Sequence, residues 1–101
     1  MKPKTIINIF ASEDAPVSQE AIELVVDFVN RAKDNELSQT YFARANVEKI
    51  TADSLILKVT EYPGCYDVIF GPYPTAKFIV PQSKEFNNFL IAISNLLNKE
   101  N

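Results

Sequence analysis

The sequence predicts an α+β fold, a two-layer sandwich of about four to five mostly antiparallel strands with two helices in the order β-α-β-β-β-β-α, built as one domain over residues 1–101. Three observations predict it. Apolar residues recur at helical spacing in two segments, near residues 19–34 and again after Ser83. Between them, apolar and polar residues alternate with the period of a half-buried strand. Pro63-Gly64 and Gly71-Pro72 interrupt that alternation where a hairpin must turn. Helices laid on one face of an antiparallel sheet bury all of these apolar faces together.

Residues 5–10 are mainly β-branched and aromatic, with Ile6, Ile7, Ile9 and Phe10 facing both ways, as in a strand buried on both sides or covered at an edge. Ser18 is placed to cap the helix that follows, residues 19–34, with Val17 and Ile22 in the two positions of a hydrophobic staple. At about 100° per residue, Ala21, Ile22, Leu24, Val25, Phe28, Val29 and Ala32 share one face. Glu20, Glu23, Asp27, Arg31 and Asp34 occupy the other.

From Tyr41 the period becomes two. Tyr41, Ala43, Ala45 and Val47 alternate with Phe42, Arg44, Asn46 and Glu48, and Leu55, Leu57 and Val59 alternate with Ile56, Lys58 and Thr60. These two stretches read as a hairpin joined through Thr51-Ala52-Asp53-Ser54. After Tyr62 the apolar set moves to Tyr66, Val68 and Phe70, the switch that a four-residue Tyr62-Pro63-Gly64-Cys65 loop produces. Residues 76–80 form the last strand, ended by Pro81. Ser83 caps a final helix whose apolar face is Phe86, Phe89, Leu90, Ile93, Leu96 and Leu97. Its outer face is neutral, with Asn87, Asn88, Asn95 and Asn98 around an exposed Ile91. The order of first strand, long helix and four-strand meander resembles that of cystatin-like folds. The inhibitory Gln-Val-Gly loop of that family is absent and the final helix is an addition, so the resemblance implies a topology and no activity.

Function is bounded first by missing residue types: the chain has no histidine, no tryptophan, one cysteine and two glycines. Histidine is the side chain that titrates near neutral pH and the commonest transition-metal ligand, so His-dependent catalysis and zinc sites are not expected. Two glycines cannot build a phosphate cradle, and the Walker, GxGxxG and calcium-loop patterns are absent. Cys65 has no histidine or basic pair beside it in sequence to activate it as a nucleophile. A protein without enzymatic activity, cofactor or metal is the expectation. The apolar run at residues 90–93 is far short of the roughly 18 residues of a membrane span, and no apolar signal-peptide stretch follows Met-Lys-Pro-Lys. A cytoplasmic location and no membrane partner are expected.

The net charge of −3 is unevenly spread. Residues 13–36 hold seven acidic side chains against Arg31 and Lys33, a net of −5, which leaves +2 for the rest of the chain. The lysines elsewhere are scattered singly, unlike the clustered cations of a nucleic-acid binder. The acidic helix face (Glu20, Glu23, Asp27, Asp34) and the tyrosine-proline loops (Tyr62, Pro63, Tyr66, Tyr73) are the candidate partner-binding residues. The first group would steer a partner with a basic surface, and the second would supply rigid aromatic anchors. Each has a plainer reading: a solvated helix face for the carboxylates, and for Tyr66 a place in the core. The functional expectation is a small protein-protein interaction module, an inhibitor, immunity-type or regulatory protein that binds a larger partner. A structural subunit acting by self-association is the alternative, and a small-ligand-binding domain stands third.

Overall fold

The computed structural model describes residues 2–33, 47–72 and 75–100. Among these, four strands form one sheet, β1 (Lys4–Phe10), β2 (Ile56–Tyr62), β3 (Cys65–Gly71) and β4 (Ala76–Pro81), and two helices accompany it, α1 (Gln19–Lys33) and α2 (Lys84–Glu100). The sheet order is β1-β2-β3-β4 and every pairing is antiparallel. The α+β expectation therefore holds, with four strands.

The register shows how the faces are sorted. Ile9 lies opposite Leu57 and Leu57 opposite Phe70; Ile7 lies opposite Val59 and Val59 opposite Val68. Tyr66 pairs with Val80 in the next row. All of these are buried, whereas Lys58, Lys77 and Ile79, one position out of phase, are exposed on the opposite, open face. Period-two alternation thus aims one face inward and leaves the other to solvent.

Both helices cover the inward face. Ala21, Ile22, Val25, Phe28 and Val29 from α1 and Phe86, Phe89, Leu90 and Ile93 from α2 join the inward strand residues in a single core. Three phenylalanines fill the space between the helices: Phe28 stacks on Phe89 at 4.4 Å between ring centroids and meets Phe86 edge-on at 5.8 Å. Phe28 belongs to the C-terminal half of α1 and Phe86 to the first turn of α2, so the helices run antiparallel.

Both caps form as the sequence predicts. Ser18 Oγ accepts the Ala21 N–H at 3.2 Å, and Ser83 Oγ accepts the Phe86 N–H at 3.2 Å. Each bond satisfies one of the orphan amides at a helix start.

Two sequence expectations need correction, and a third is not covered by the structure. The strand expected over residues 41–48 lies outside the described residues apart from Val47 and Glu48, which open a 3-10 turn, Val47–Lys49. Where the sequence predicts a hairpin with that segment, both edges of β2 are taken by β1 and β3. A hairpin is the cheapest closure in sequence, but β1 competes with six paired residues and two buried cross-strand pairs. The meander after α1 accordingly comprises the three strands β2, β3 and β4 among the described residues. The loop at Pro63-Gly64 has two residues, since Tyr62 already pairs with Cys65. Two- and four-residue loops give the same facing, so the parity argument could not separate them. Gly64 takes φ of +85°, the conformation that a type II turn demands at its third residue.

Ile6 is the remaining departure from regularity. The β1–β2 register slips between Thr5 and Ile7, leaving Ile6 as an extra residue in the strand. It is half-buried and packs against the core beside Ile7, where a regular strand would turn one of the two outward.

Candidate functional site

Helix α1 presents Glu20, Glu23 and Asp27 to solvent because its opposite stripe is committed to the core. These carboxylates are not equivalent. Asp27 is paired with Arg31 four residues on, at 3.1 Å, so its charge is locally balanced. Glu20 and Glu23, nearer the helix start, line the wall of an open cleft of about 480 Å³ that runs between the two helices. Leu24, Ala92 and Leu96 form the apolar part of that cleft, and Asn95 closes its far side. Among the described residues that line it there is no lysine or arginine.

A second open cleft, of about 440 Å³, lies on the other side of α2. Its apolar surface comes from Ile6, Leu90 and Ile91, and its polar groups are Tyr66, Asn87, Ser94 and Asn95, none of them charged at neutral pH. Ile91 is 60% exposed there. The bulge in β1 brings Ile6 to this cleft. Helix α2 therefore separates an acidic groove from a neutral one, with Asn95 shared by both.

Tyr66 belongs to the core side of this arrangement. Its ring lies 5.2 Å from Phe86, and its hydroxyl donates to Asn87 Oδ1 at 2.7 Å. Burial holds its phenol above the ordinary value near 10, and the Glu61 carboxylate pushes in the same direction. Of the two readings of Tyr66, the core position is the one observed.

The hairpin supplies a third and smaller recess, of about 200 Å³, lined by Lys2, Glu61, Tyr62, Pro63 and Gln82. Gln82 stiffens it, donating from Nε2 to the Tyr62 carbonyl and from its backbone N–H to the Gly64 carbonyl, both at 3.3 Å. Tyr62 is half-buried and Pro63 exposed.

The expected site residues thus fall into separate places. Strand β1 begins opposite Glu61, beside the hairpin, and ends opposite Ile56, at the far end of the sheet. Helix α1 starts from that far end, where the Val17 N–H is held by the Ala52 carbonyl at 2.8 Å. Glu20 and Glu23 are therefore at one end of the molecule and Tyr62 and Pro63 at the other. Asp34 and Tyr73 lie outside the described residues. Ala92, Asn95 and Leu96, which complete the acidic groove, were not singled out together from sequence. Their i, i+3, i+4 spacing matches that of Glu20, Glu23 and Leu24, a signal visible only once the two helices are known to be neighbours.

Among the described residues, no group of three or more His, Cys, Asp or Glu side chains is placed to hold a metal ion, and no helix is long and apolar enough to cross a membrane. No family model matches the chain, and comparison with curated proteins and with solved structures returns no match either.

Proposed function

We propose that the protein is a small interaction module, of the inhibitor, immunity or regulatory kind, that docks on a basic surface of a larger partner through its helical layer. One observation carries this reading. Glu20 and Glu23 project beside an apolar floor of Leu24, Ala92 and Leu96, and no cation is among the described residues that line it. Carboxylates on a rim steer an oppositely charged partner, while the apolar floor gives it area to bury. Glu13 and Asp14 precede this end of α1 and add to its negative field. Tyr62 and Pro63 form a separate contact point at the hairpin, and Tyr73 and Asp34 remain candidates on sequence grounds.

The test is capture of a partner from the native host by the wild-type chain and its loss in Glu20→Lys/Glu23→Lys, with Asp27→Asn as the matched control. Equal capture by all three variants overturns the reading. The neutral groove around Ile91 favours a second reading, self-association, because a second copy of an acidic chain meets no like charge there. Sedimentation velocity over a range of concentrations, on wild type and Ile91→Lys, distinguishes the two.

A further inference from the structure

Resting on that reading, we infer that the interhelical groove takes one amphipathic α-helix of the partner, lying along α1 and α2, with leucine-type anchors on its inner face and Lys or Arg flanking them on the α1 side. The walls of the groove dictate the shape of the occupant. Glu20, Glu23 and Leu24 on one wall and Ala92, Asn95 and Leu96 on the other repeat at i, i+3 and i+4, so the lining runs parallel to both helix axes. The backbone N–H and C=O groups along both walls are spent inside their own helices. An extended peptide would find no ladder to join, whereas a helix brings its own backbone bonds already made. Ridges of a third helix fit between two packed helices because all three share the same surface spacing. Charge complementarity gives the chemistry: Leu24, Ala92 and Leu96 call for apolar anchors, and the two carboxylates, which no described cation faces, call for cations beside them. Asp27 contributes little, being held by Arg31 at 3.1 Å.

The probe is a synthetic leucine-lysine peptide of about 14 residues, long enough to hold a helix, with leucines at i, i+3, i+4 and i+7. A peptide of identical composition with the leucines redistributed serves as its control. Binding by fluorescence anisotropy is expected to favour the patterned peptide by about tenfold, because only it presents a continuous apolar face. Glu20→Gln with Glu23→Gln should weaken it roughly fivefold, and Asp27→Asn less than about twofold. Amide shifts in ¹⁵N spectra should concentrate at residues 20–24 and 92–96. Equal binding of the two peptides, or an unchanged affinity in the double glutamine variant, overturns the helical occupant. Photo-crosslinking of host lysate from positions 24 and 91 then separates the two failures. A cross-linked partner that depends on Glu20 and Glu23 leaves the interaction module standing with a non-helical ligand, and its absence removes both.

Discussion

Tyr66 on the third strand donates its hydroxyl to Asn87 Oδ1 on α2 at 2.7 Å, and this bond fastens the start of the last helix to the hairpin end of β3. The Tyr66 ring also packs against Phe86 in the same helical turn, so one side chain makes both a polar and an apolar tie between the layers. Among the described residues, no buried side-chain nitrogen or oxygen lacks a hydrogen-bond partner.

Tyr66→Phe keeps the ring and removes the bond, so it should cost about 1 kcal/mol, the net worth of one hydrogen bond with its partner left unpaired. Alkaline unfolding provides the more specific readout. The neutral phenol is favoured in the folded state, which raises its value above the ordinary 10. Its stabilising contribution is therefore complete below about pH 10 and is lost as pH rises through the higher folded value. Denaturation between neutral pH and pH 11 should show a steeper fall in wild type than in Tyr66→Phe; equal slopes would assign the alkaline loss to other groups.

The aromatic trio should carry much of the interhelical energy. Phe89→Ala removes a ring that is 5% exposed and stacked on Phe28, and it should cost about 3 to 5 kcal/mol. Val25→Ala, at a fully buried position, should cost about 2 kcal/mol. Ile91→Ala, at a 60% exposed position, should change stability by less than about 0.5 kcal/mol. Urea titration of the three variants checks the order, and an Ile91 effect equal to that of Phe89 would mean the neutral groove is buried in an oligomer.

The caps and the hairpin turn give smaller, local effects. Ser18→Ala and Ser83→Ala should each cost about 1 kcal/mol, since each leaves an orphan amide unpaired. At Gly64 a new Cβ would meet nothing within 4 Å, so any cost of Gly64→Ala comes from its φ of +85° rather than from a clash. That cost should be about 1 kcal/mol, with Asn at the same position tolerated better than Ala. Thermal melts of the four variants, compared with wild type, are sufficient.

Partner kinetics should divide by position. Glu20→Lys with Glu23→Lys should slow association and flatten its dependence on salt, because rim charges act on encounter. Tyr62→Ala, at the opposite end of the molecule, should act on dissociation if the hairpin touches the partner, and should leave both rates unchanged if the helical layer alone does. Surface plasmon resonance at two ionic strengths reads both rates. A response in neither set, with the fold intact, would move the interface to the open sheet face that bears Lys58 and Lys77.

Thiol and metal chemistry should be dispensable. Cys65→Ser and treatment with a chelator are expected to leave binding unchanged, as Cys65 is a half-buried strand residue and the chain has no histidine. Stoichiometric zinc in protein purified from its host would contradict this.

What the sequence by itself determined is what local spacing can encode. The period of 3.6 placed α1 and α2 and assigned their buried faces, Ser18 and Ser83 marked their starts, and Pro63-Gly64 located the tight turn. These features depend on residues a few positions apart, so their physics is complete within a short segment. The pairing of β1 with β2 is different. It joins Ile9 to Leu57 and Ile7 to Val59 across the intervening helix, and alternation alone cannot say which of several suitable strands will be the neighbour. The same limit hid the Ile6 bulge, which exists only relative to a partner strand, and left open two readings of Tyr66, between which Phe86 and Asn87 beside it decide. The candidate groove is the furthest case. Glu20, Glu23 and Leu24 meet Ala92, Asn95 and Leu96 only because Phe28, Phe86 and Phe89 pack the two helices against each other. The surface that carries the proposed function is therefore a product of the core, and tertiary packing decided it.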